Sequence, residues 1–177
     1  MQRAIRIAGV GSTHVPGKAL DTAYDLGGEV AKMGGKIRSG GADGIDHRFI
    51  RGAMAYKDEG CVEVYLPFET FGPRQFPKEA VVLAEPSSEA RKIAKAQSID
   101  WARIGDEAKQ MRARDVHLLL GANLHDPAVA LCYWFAPGEQ PWIIDLAGLY
   151  KIPMYDLAQR GIVAFRDYMA IWAKSRY

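Results

Sequence analysis

The stretch that most constrains the fold is Ser-Gly-Gly-Ala-Asp-Gly-Ile-Asp at residues 39–46, between a β-type run at 36–38 and a helix-type run at 47–56. Glycines let a backbone turn sharply and approach a ligand closely. The first N–H groups of a helix lack intrahelical partners, and the helix dipole favours an anion beside them. The stretch therefore predicts a phosphate or nucleotide site, with a bare turn as the alternative. We expect Gly41→Val to abolish ligand binding while leaving the fold intact.

Around this loop, β-type and helix-type runs alternate. The predicted strands are 4–10, 36–39 and 61–66, and the predicted helices are 18–33 and 47–56. A β-α-β-α-β order with short connections is typical of an α/β fold, here a Rossmann-like, doubly wound, mainly parallel sheet flanked by helices. Ligands of such sheets bind outside the C-terminal strand ends, which places the loops at 9–17 and 39–46 at the ligand edge.

The remainder of the chain continues the pattern less regularly. Residues 68–85 carry several aromatics and prolines and are predicted either as a lid or base-stacking loop or as an ordered surface loop. A helical pattern begins at 86–89, where Ser87 or Ser88 can cap it, and runs to Arg114 with a break near 98–100 or 105. The later predictions are a central strand at 127–136, a helix at 144–150, a last strand at 151–157 and an amphipathic helix at 158–177.

Length and charge narrow the possible classes of protein. A chain of 177 residues fits one domain, predicted over residues 1–177. Its net charge of +2 gives no global basic field for nucleic acid. The N-terminus lacks the apolar segment of a signal peptide, and no apolar run is long enough to cross a bilayer, so we expect no membrane partner.

The metal-binding and redox-active residue types form no recognisable motif. Cys61 and Cys132 lie far apart, which predicts two buried free thiols in a reducing cytoplasm. The four histidines show no zinc spacing, and there is no Walker A loop, no Gly-x-Ser-x-Gly elbow and no complete Gly-x-Gly-x-x-Gly. We therefore expect neither a metal nor a resident cofactor.

Residues 39–46 resemble the signature loop of the DprA/Smf DNA-processing proteins, which belong to the SLOG superfamily together with the LOG-type phosphoribohydrolases. The short chain looks like the phage-type DprA-like proteins. In this superfamily an arginine-bearing helix end sits beside the nucleotide pocket, and Arg114-Asp115 is similar to the Arg-Asn of DprA-type members. Arg112 and Arg114 do not share a helix face, so we expect one to face the ligand, and Arg114 matches the family position.

A second loop resembles the LOG motif Pro-Gly-Gly-x-Gly-Thr-x-x-Glu. Pro137 and Gly138 match it, and Asp145 falls at the position of the family's catalytic Glu. The second and third glycines and the threonine of the motif are absent, and their places are taken by Glu139, Pro141 and Trp142. Because Glu139 adds negative charge and Pro141 removes an N–H donor, the sequence favours binding over hydrolysis. Trp142 is predicted to stack on a base or close the pocket, or to be a core residue.

These features lead to three hypotheses for function. The first is a binder of a small phosphorylated nucleotide, such as a signalling nucleotide, in a pocket at the C-terminal strand edge. The second is N-glycosidic cleavage of a nucleoside monophosphate, with Arg114 and Asp145 catalytic. The third is a DprA-like single-stranded DNA module with Arg112, Arg114, Arg74 and Lys78 on phosphates. The resemblance further implies a homo-oligomer. The predicted ligand-binding residues are Gly11, Ser12, Thr13, Ser39, Gly40, Gly41, Ala42, Asp43, Asp46, Arg112, Arg114, Gly138 and Trp142.

Overall fold

The computed structural model describes residues 4–56, 60–72 and 76–175. Its centre is a parallel sheet of six strands in the order β4-β3-β2-β1-β5-β6. The strands are β1 (Arg6–Gly11), β2 (Lys36–Ser39), β3 (Val62–Tyr65), β4 (Val81–Leu83), β5 (Ala130–Trp134) and β6 (Met154–Asp156). This confirms the predicted α/β, Rossmann-like arrangement.

Six α-helices in the described part of the chain cover both faces of this sheet. They are α1 (Gly17–Lys32), α2 (Ile45–Tyr56), α3 (Ser88–Ala96), α4 (Asp106–Leu120), α5 (Trp142–Leu149) and α6 (Leu157–Lys174). One core packs α1, α2 and α6 against the sheet around Leu26, Phe49 and Phe165. The other core packs α3, α4 and α5 against the opposite face around Leu118 and Leu146. Each face of the sheet is therefore buried, as a parallel sheet requires.

The strand order has a reversal beside β1. The chain runs outward from β1 to β4 on one side, and β5 then returns to pair with the other side of β1. At such a switch point the connections leave β1 and β5 in opposite directions and open a crevice at the C-terminal strand ends. The loops after β1 and β2 lie at this edge, where the sequence placed them.

Two parts of the predicted element pattern were wrong. The segment 68–85 contains a short 3-10 helix (Lys78–Ala80) and the edge strand β4, which the sequence analysis left without regular structure. Helix α4 continues to Leu120, beyond the predicted end at Arg114, because Val116, Leu118 and Leu119 are buried in the second core. The predicted helix break is confirmed between α3 and α4, and Ser87 caps α3 by accepting the Ala90 N–H at 3.2 Å.

Within the described residues, none of the helices is long and apolar enough to cross a membrane.

Candidate functional site

A cleft of about 530 Å³ opens at the C-terminal ends of β1 and β5, and we call it the switch-point cleft. The loop after β1, the first turn of α2, helix α4 and the loop after β5 all contribute residues to its lining. Its lining comprises Val10, Gly11, Ser12, Thr13, His14, Ala42, Asp46, Phe71, Met111, Arg114, Asp115, Phe135, Glu139, Pro141 and Ile143. Six of the predicted binding residues lie here: Gly11, Ser12, Thr13, Ala42, Asp46 and Arg114.

Asp46 joins the ends of two strands beneath this cleft. One carboxylate oxygen accepts the Gly11 N–H at 3.0 Å, and the other accepts the Gly40 N–H at 3.2 Å. The side chain is 3% exposed. The protein's own carboxylate therefore takes the backbone N–H groups of two predicted ligand-binding residues, Gly11 and Gly40.

The surroundings of Asp46 also change its protonation. Burial raises the pKa of Asp46 from 3.8 to about 6, although the Arg114 guanidinium and the N–H groups of Gly11 and Ala42 act in the opposite direction. Burial likewise raises the pKa of Asp115, against the pull of Arg114. Two carboxyl groups with raised pKa values thus share one arginine, which is a common feature of ligand sites.

Arg114 is locked between α4 and the loop after β2. Its Nη1 donates to the Gly40 carbonyl at 2.7 Å, and its Nε donates to Asp115 at 2.9 Å. Its guanidinium carbon lies 5.7 Å from the centre of the Phe71 ring. A Cβ on Gly40 would overlap this guanidinium, so the arginine and the glycine must occur together. Arg114 therefore holds the loop in place as well as lining the cleft.

The remaining glycines of the 39–46 loop serve packing within the protein. Gly41 has a φ of +73°, and a Cβ there would lie 2.9 Å from Leu66 Cδ2 and 3.2 Å from Phe76. The expectation that Gly41→Val would spare the fold is therefore wrong, because the added side chain would meet the core and not the cleft. Ser39 and Gly40 are buried and Asp43 is exposed, and neither these three residues nor Gly41 is in the cleft lining.

Ser12 connects the loop after β1 to the loop after β5. Its N–H donates to the Trp134 carbonyl at 3.0 Å, and its hydroxyl oxygen accepts the Ala136 N–H at 2.8 Å. The same hydroxyl donates to Glu139 Oε2 at 2.6 Å. The Ser12 hydroxyl is thus committed to the protein, whereas its exposed neighbour Thr13 lines the cleft.

A second cleft, of about 790 Å³, adjoins the first, and we call it the β5-loop cleft. The two clefts share His14, Phe135, Glu139 and Pro141. Gly138 and the exposed Asp145 line only the second cleft, whereas Arg114 lines only the first. The two residues predicted as catalytic therefore belong to neighbouring clefts and not to a single one.

Arg112 and Trp142 form a separate contact outside both clefts. Arg112 makes a two-pronged ion pair with Asp100, including Nη2 to Oδ2 at 2.9 Å, and its guanidinium carbon lies 5.6 Å from the centre of the Trp142 ring. The Trp142 indole N–H donates to the Gln97 carbonyl at 3.4 Å. Neither side chain is in the lining of either cleft. Of the two arginines, Arg114 lines the switch-point cleft and Arg112 does not, and which of them contacts a ligand stays a prediction.

Three of the four residues considered for DNA lie in the described part of the chain, each in a different setting. Lys78 lies in the 3-10 helix before β4, in a groove with Leu66 and Glu69. Arg112 and Arg114 lie in different environments, as described above, and Arg74 falls outside the described residues. Across residues 4–56, 60–72 and 76–175, no group of three His, Cys, Asp or Glu side chains is placed to hold a metal ion.

Several residues of the switch-point cleft were not predicted as binding residues. Phe71 lies in the irregular segment 68–85, Asp115 follows Arg114 directly, and Phe135 and Glu139 follow β5. Phe135 and Glu139 could have been predicted, because they follow a strand next to the switch point and such strand ends lie at the ligand edge. Phe71 had only the signal of its aromatic-rich segment, which was predicted as a lid or base-stacking loop without a chosen residue.

Comparisons with known proteins concern only the fold. No protein-family model matches the chain, and no curated protein matches it. Among solved structures, the Moco carrier protein of Chlamydomonas reinhardtii is 18% identical over 86% of this chain and 75% of that one, with a TM-score of 0.50. A molybdenum cofactor binding protein from the phototrophic bacterium Rippkaea orientalis is 14% identical over 96% and 99% of the two chains, with a TM-score of 0.47. A second structure of the Chlamydomonas protein is 18% identical over 95% and 99%, with a TM-score of 0.45. The first of these likenesses shows a shared fold, and the SLOG, DprA-like and phage-type assignments stay predictions.

Proposed function

We propose that this chain binds a small phosphorylated molecule of the nucleotide type in the switch-point cleft. The observation that carries the proposal is the position of the cleft at the C-terminal ends of β1 and β5, with Arg114 in its wall. This is the edge at which open α/β sheets bind their ligands. An arginine in such a wall is suited to a phosphate group, because its planar fork presents several N–H donors.

Arg114 keeps one side of its guanidinium toward the cleft. Nη1 and Nε donate to Gly40 and Asp115, while Nη2 contacts only the Met111 sulfur, at 3.9 Å, among the hydrogen bonds of the described residues. A thioether is a weak acceptor, so a phosphate oxygen would replace it favourably. We therefore assign Nη2 of Arg114 as the donor to the ligand's phosphate.

Two phenyl rings provide surfaces for a heterocycle. Phe71 lies beside the Arg114 guanidinium, and Phe135 lies 5.6 Å from Tyr133, both rings at the edge of the cleft. Aromatic faces stack on any nucleobase without selecting one. The neighbour with a TM-score of 0.50 is a Moco carrier protein, so the molybdenum cofactor belongs in the ligand panel beside the nucleotides.

The test compares two arginines on one helix. Mass spectrometry of the purified chain first identifies any retained ligand, and calorimetry then measures the affinities of nucleoside mono-, di- and triphosphates and of the molybdenum cofactor. We expect Arg114→Lys to weaken the tightest ligand by about 10- to 100-fold, the value of one hydrogen bond to a charged group. Arg112→Lys, whose partner is Asp100, serves as the matched control and should change affinity less than about twofold. Equal losses in both variants would contradict the assignment of the cleft.

The proposal is one of binding without hydrolysis. Asp145 is exposed and lines the β5-loop cleft, away from the Arg114 wall. A hydrolase needs its carboxylate held against the sugar, since misplacement is costly to rate. We expect no free base to be released from nucleoside monophosphates in samples that retain the ligand. Base release that disappears in Asp145→Asn would favour the phosphoribohydrolase, and tight binding of single-stranded DNA that falls steeply with salt would favour the DNA module.

A further inference from the structure

Glu139 stands at the boundary of the two clefts with its carboxylate fixed in place. It lines both clefts, and its side chain accepts the Ser12 hydroxyl at 2.6 Å. Because the Ser12 oxygen accepts the Ala136 N–H at 2.8 Å, the serine proton is directed toward Glu139. An exposed glutamate would ordinarily sample many rotamers, but the hydroxyl of Ser12, a residue that is 7% exposed, restrains Glu139 by this hydrogen bond.

The charges around the switch-point cleft are unusual for a phosphate site. Three carboxylates, Asp46, Asp115 and Glu139, face one guanidinium, that of Arg114, with His14 at the rim. Asp115 is already paired with Arg114 at 2.9 Å and is half-buried, and Asp46 is buried. Glu139 is the solvent-exposed carboxylate of this lining, so it is the negative charge that an entering anion meets.

We infer that Glu139 is the specificity-determining residue that limits how many anionic groups a ligand of this cleft can carry. The inference rests on the proposed binding function. Arg114 binds one phosphate group of the ligand. Each further phosphate group of the ligand must approach the Glu139 carboxylate. A like-charge contact at this partly exposed position weakens binding by on the order of threefold to tenfold for each added phosphate. The cleft therefore discriminates against di- and triphosphates.

Ser12 acts through Glu139 as a positioning residue. Its hydroxyl fixes the carboxylate, and its removal would leave the charge present but free to turn toward solvent. We expect Ser12→Ala to relax the discrimination only in part, by a smaller factor than removal of the charge. A purely structural role for Ser12 would change all affinities alike and would leave the ratio of monophosphate to triphosphate affinities unchanged.

The experiment measures this ratio with AMP, ADP and ATP, and with GMP, GDP and GTP, by calorimetry at pH 7.5 in EDTA. The variant is Glu139→Gln, whose amide oxygen can still accept the Ser12 hydroxyl. The control is Glu107→Gln, which removes an equally exposed charge from the first turn of α4, outside the cleft lining. Wild type and the control should bind the monophosphate at least tenfold tighter than the triphosphate, and Glu139→Gln should reduce this ratio to about threefold or less by gaining triphosphate affinity.

The outcomes separate the two proposals. Equal affinity of wild type for mono- and triphosphates, or an unchanged ratio in Glu139→Gln, would overturn the role of Glu139 while leaving the binding function intact. Failure of wild type to bind any of the six nucleotides would overturn the inference, and failure to bind the molybdenum cofactor as well would also overturn the proposed function. A ratio that relaxes equally in Glu107→Gln would show a general charge effect and would also overturn the inference.

Discussion

Two loops meet at the switch-point edge of the sheet, and they are built in opposite ways. The loop at 39–46 is closed: its carboxylate Asp46 takes backbone donors from two strand ends, and the missing side chain of Gly44 leaves room for the Ser12 and Thr13 backbone. The loop at 137–141 is open, with residues 137–140 exposed and nothing within 4 Å of the position a Cβ would take on Gly138. Within the described residues, Glu139 of this loop accepts a hydrogen bond from the Ser12 hydroxyl in the loop after β1.

The difference teaches that glycine content alone does not identify the ligand-contacting loop. The glycines at 39–46 are required by packing and by positive φ angles, so this loop shapes the cleft from beneath. The open loop, which departs most from the LOG motif, supplies the accessible wall through Glu139 and Pro141. A motif that resembles a phosphate loop can therefore be a framework whose anion is the protein's own aspartate.

The largest effect should come from a pair of glycine variants. Gly44 and Gly138 have φ angles of +74° and +85°, but a Cβ on Gly44 would lie 2.6 Å from the Ser12 carbonyl oxygen. We expect Gly44→Ala to lower the free energy of unfolding by about 3 kcal/mol or more, from both backbone strain and overlap. Gly138→Ala introduces backbone strain without overlap and should lower the free energy of unfolding by about 1 kcal/mol. Urea denaturation measures both. Equal losses would contradict the distinction between the closed and the open loop.

A smaller effect should appear in the pH dependence of stability. The pKa of Asp46 is about 6 in the folded protein and 3.8 as its ordinary value, so the folded state binds more protons between these pH values. The free energy of unfolding should therefore fall as the pH rises from about 4 to 6, by about 2–3 kcal/mol from this group. Above pH 7 the contribution is constant. Asp115, whose pKa is also raised, changes stability in the same direction.

The variant Asp46→Asn isolates this contribution. We expect it to be less stable than wild type, since an amide NH2 group, which cannot accept a hydrogen bond, replaces one of the two oxygens that accept from Gly11 and Gly40, at a cost of about 1–3 kcal/mol. The difference between the two proteins should shrink as the pH rises from 4.5 to 7. Burial lowers the pKa of His117 and favours stability at higher pH, but it does so in both proteins and cancels in the difference. A difference that is constant with pH would show that the Asp46 carboxyl is not shifted.

Most of the fold could be predicted from the sequence because its signals are local. The strands are marked by β-branched runs, and the helix ends by glycines and by the Ser87 cap. Because the sheet is parallel, the loops after β1 and β2 are expected at the same edge of it. Strand β4 could not be predicted, since three residues at a sheet edge, Val81–Leu83, carry no periodicity. The end of α4 was missed because the apolar run at 116–120 is typical of a strand as much as of a buried helix.

The site was harder to predict because its partners are set by tertiary contacts. The sequence shows Asp46 and Arg114 but not that both are tied to Gly40, one through its N–H and the other through its carbonyl. Nor does it show that Arg112, two residues from Arg114, pairs with Asp100. The prediction that Arg114 and Asp145 act together in catalysis rested on their positions in family motifs. The sequence does not show that these two residues line different clefts at this edge. These relations depend on distances across the fold, which spacing along the chain does not give.

The most direct test of the central claim is to fill the switch-point cleft without touching the core. Thr13 is exposed and lines the cleft, so Thr13→Trp should place an indole in the ligand's space. Lys18→Trp adds the same indole at an exposed position of α1 outside both cleft linings. With the ligand identified by mass spectrometry, calorimetry should show binding abolished in Thr13→Trp and unchanged in Lys18→Trp, at equal stability of the two variants. Full affinity in Thr13→Trp would contradict the account.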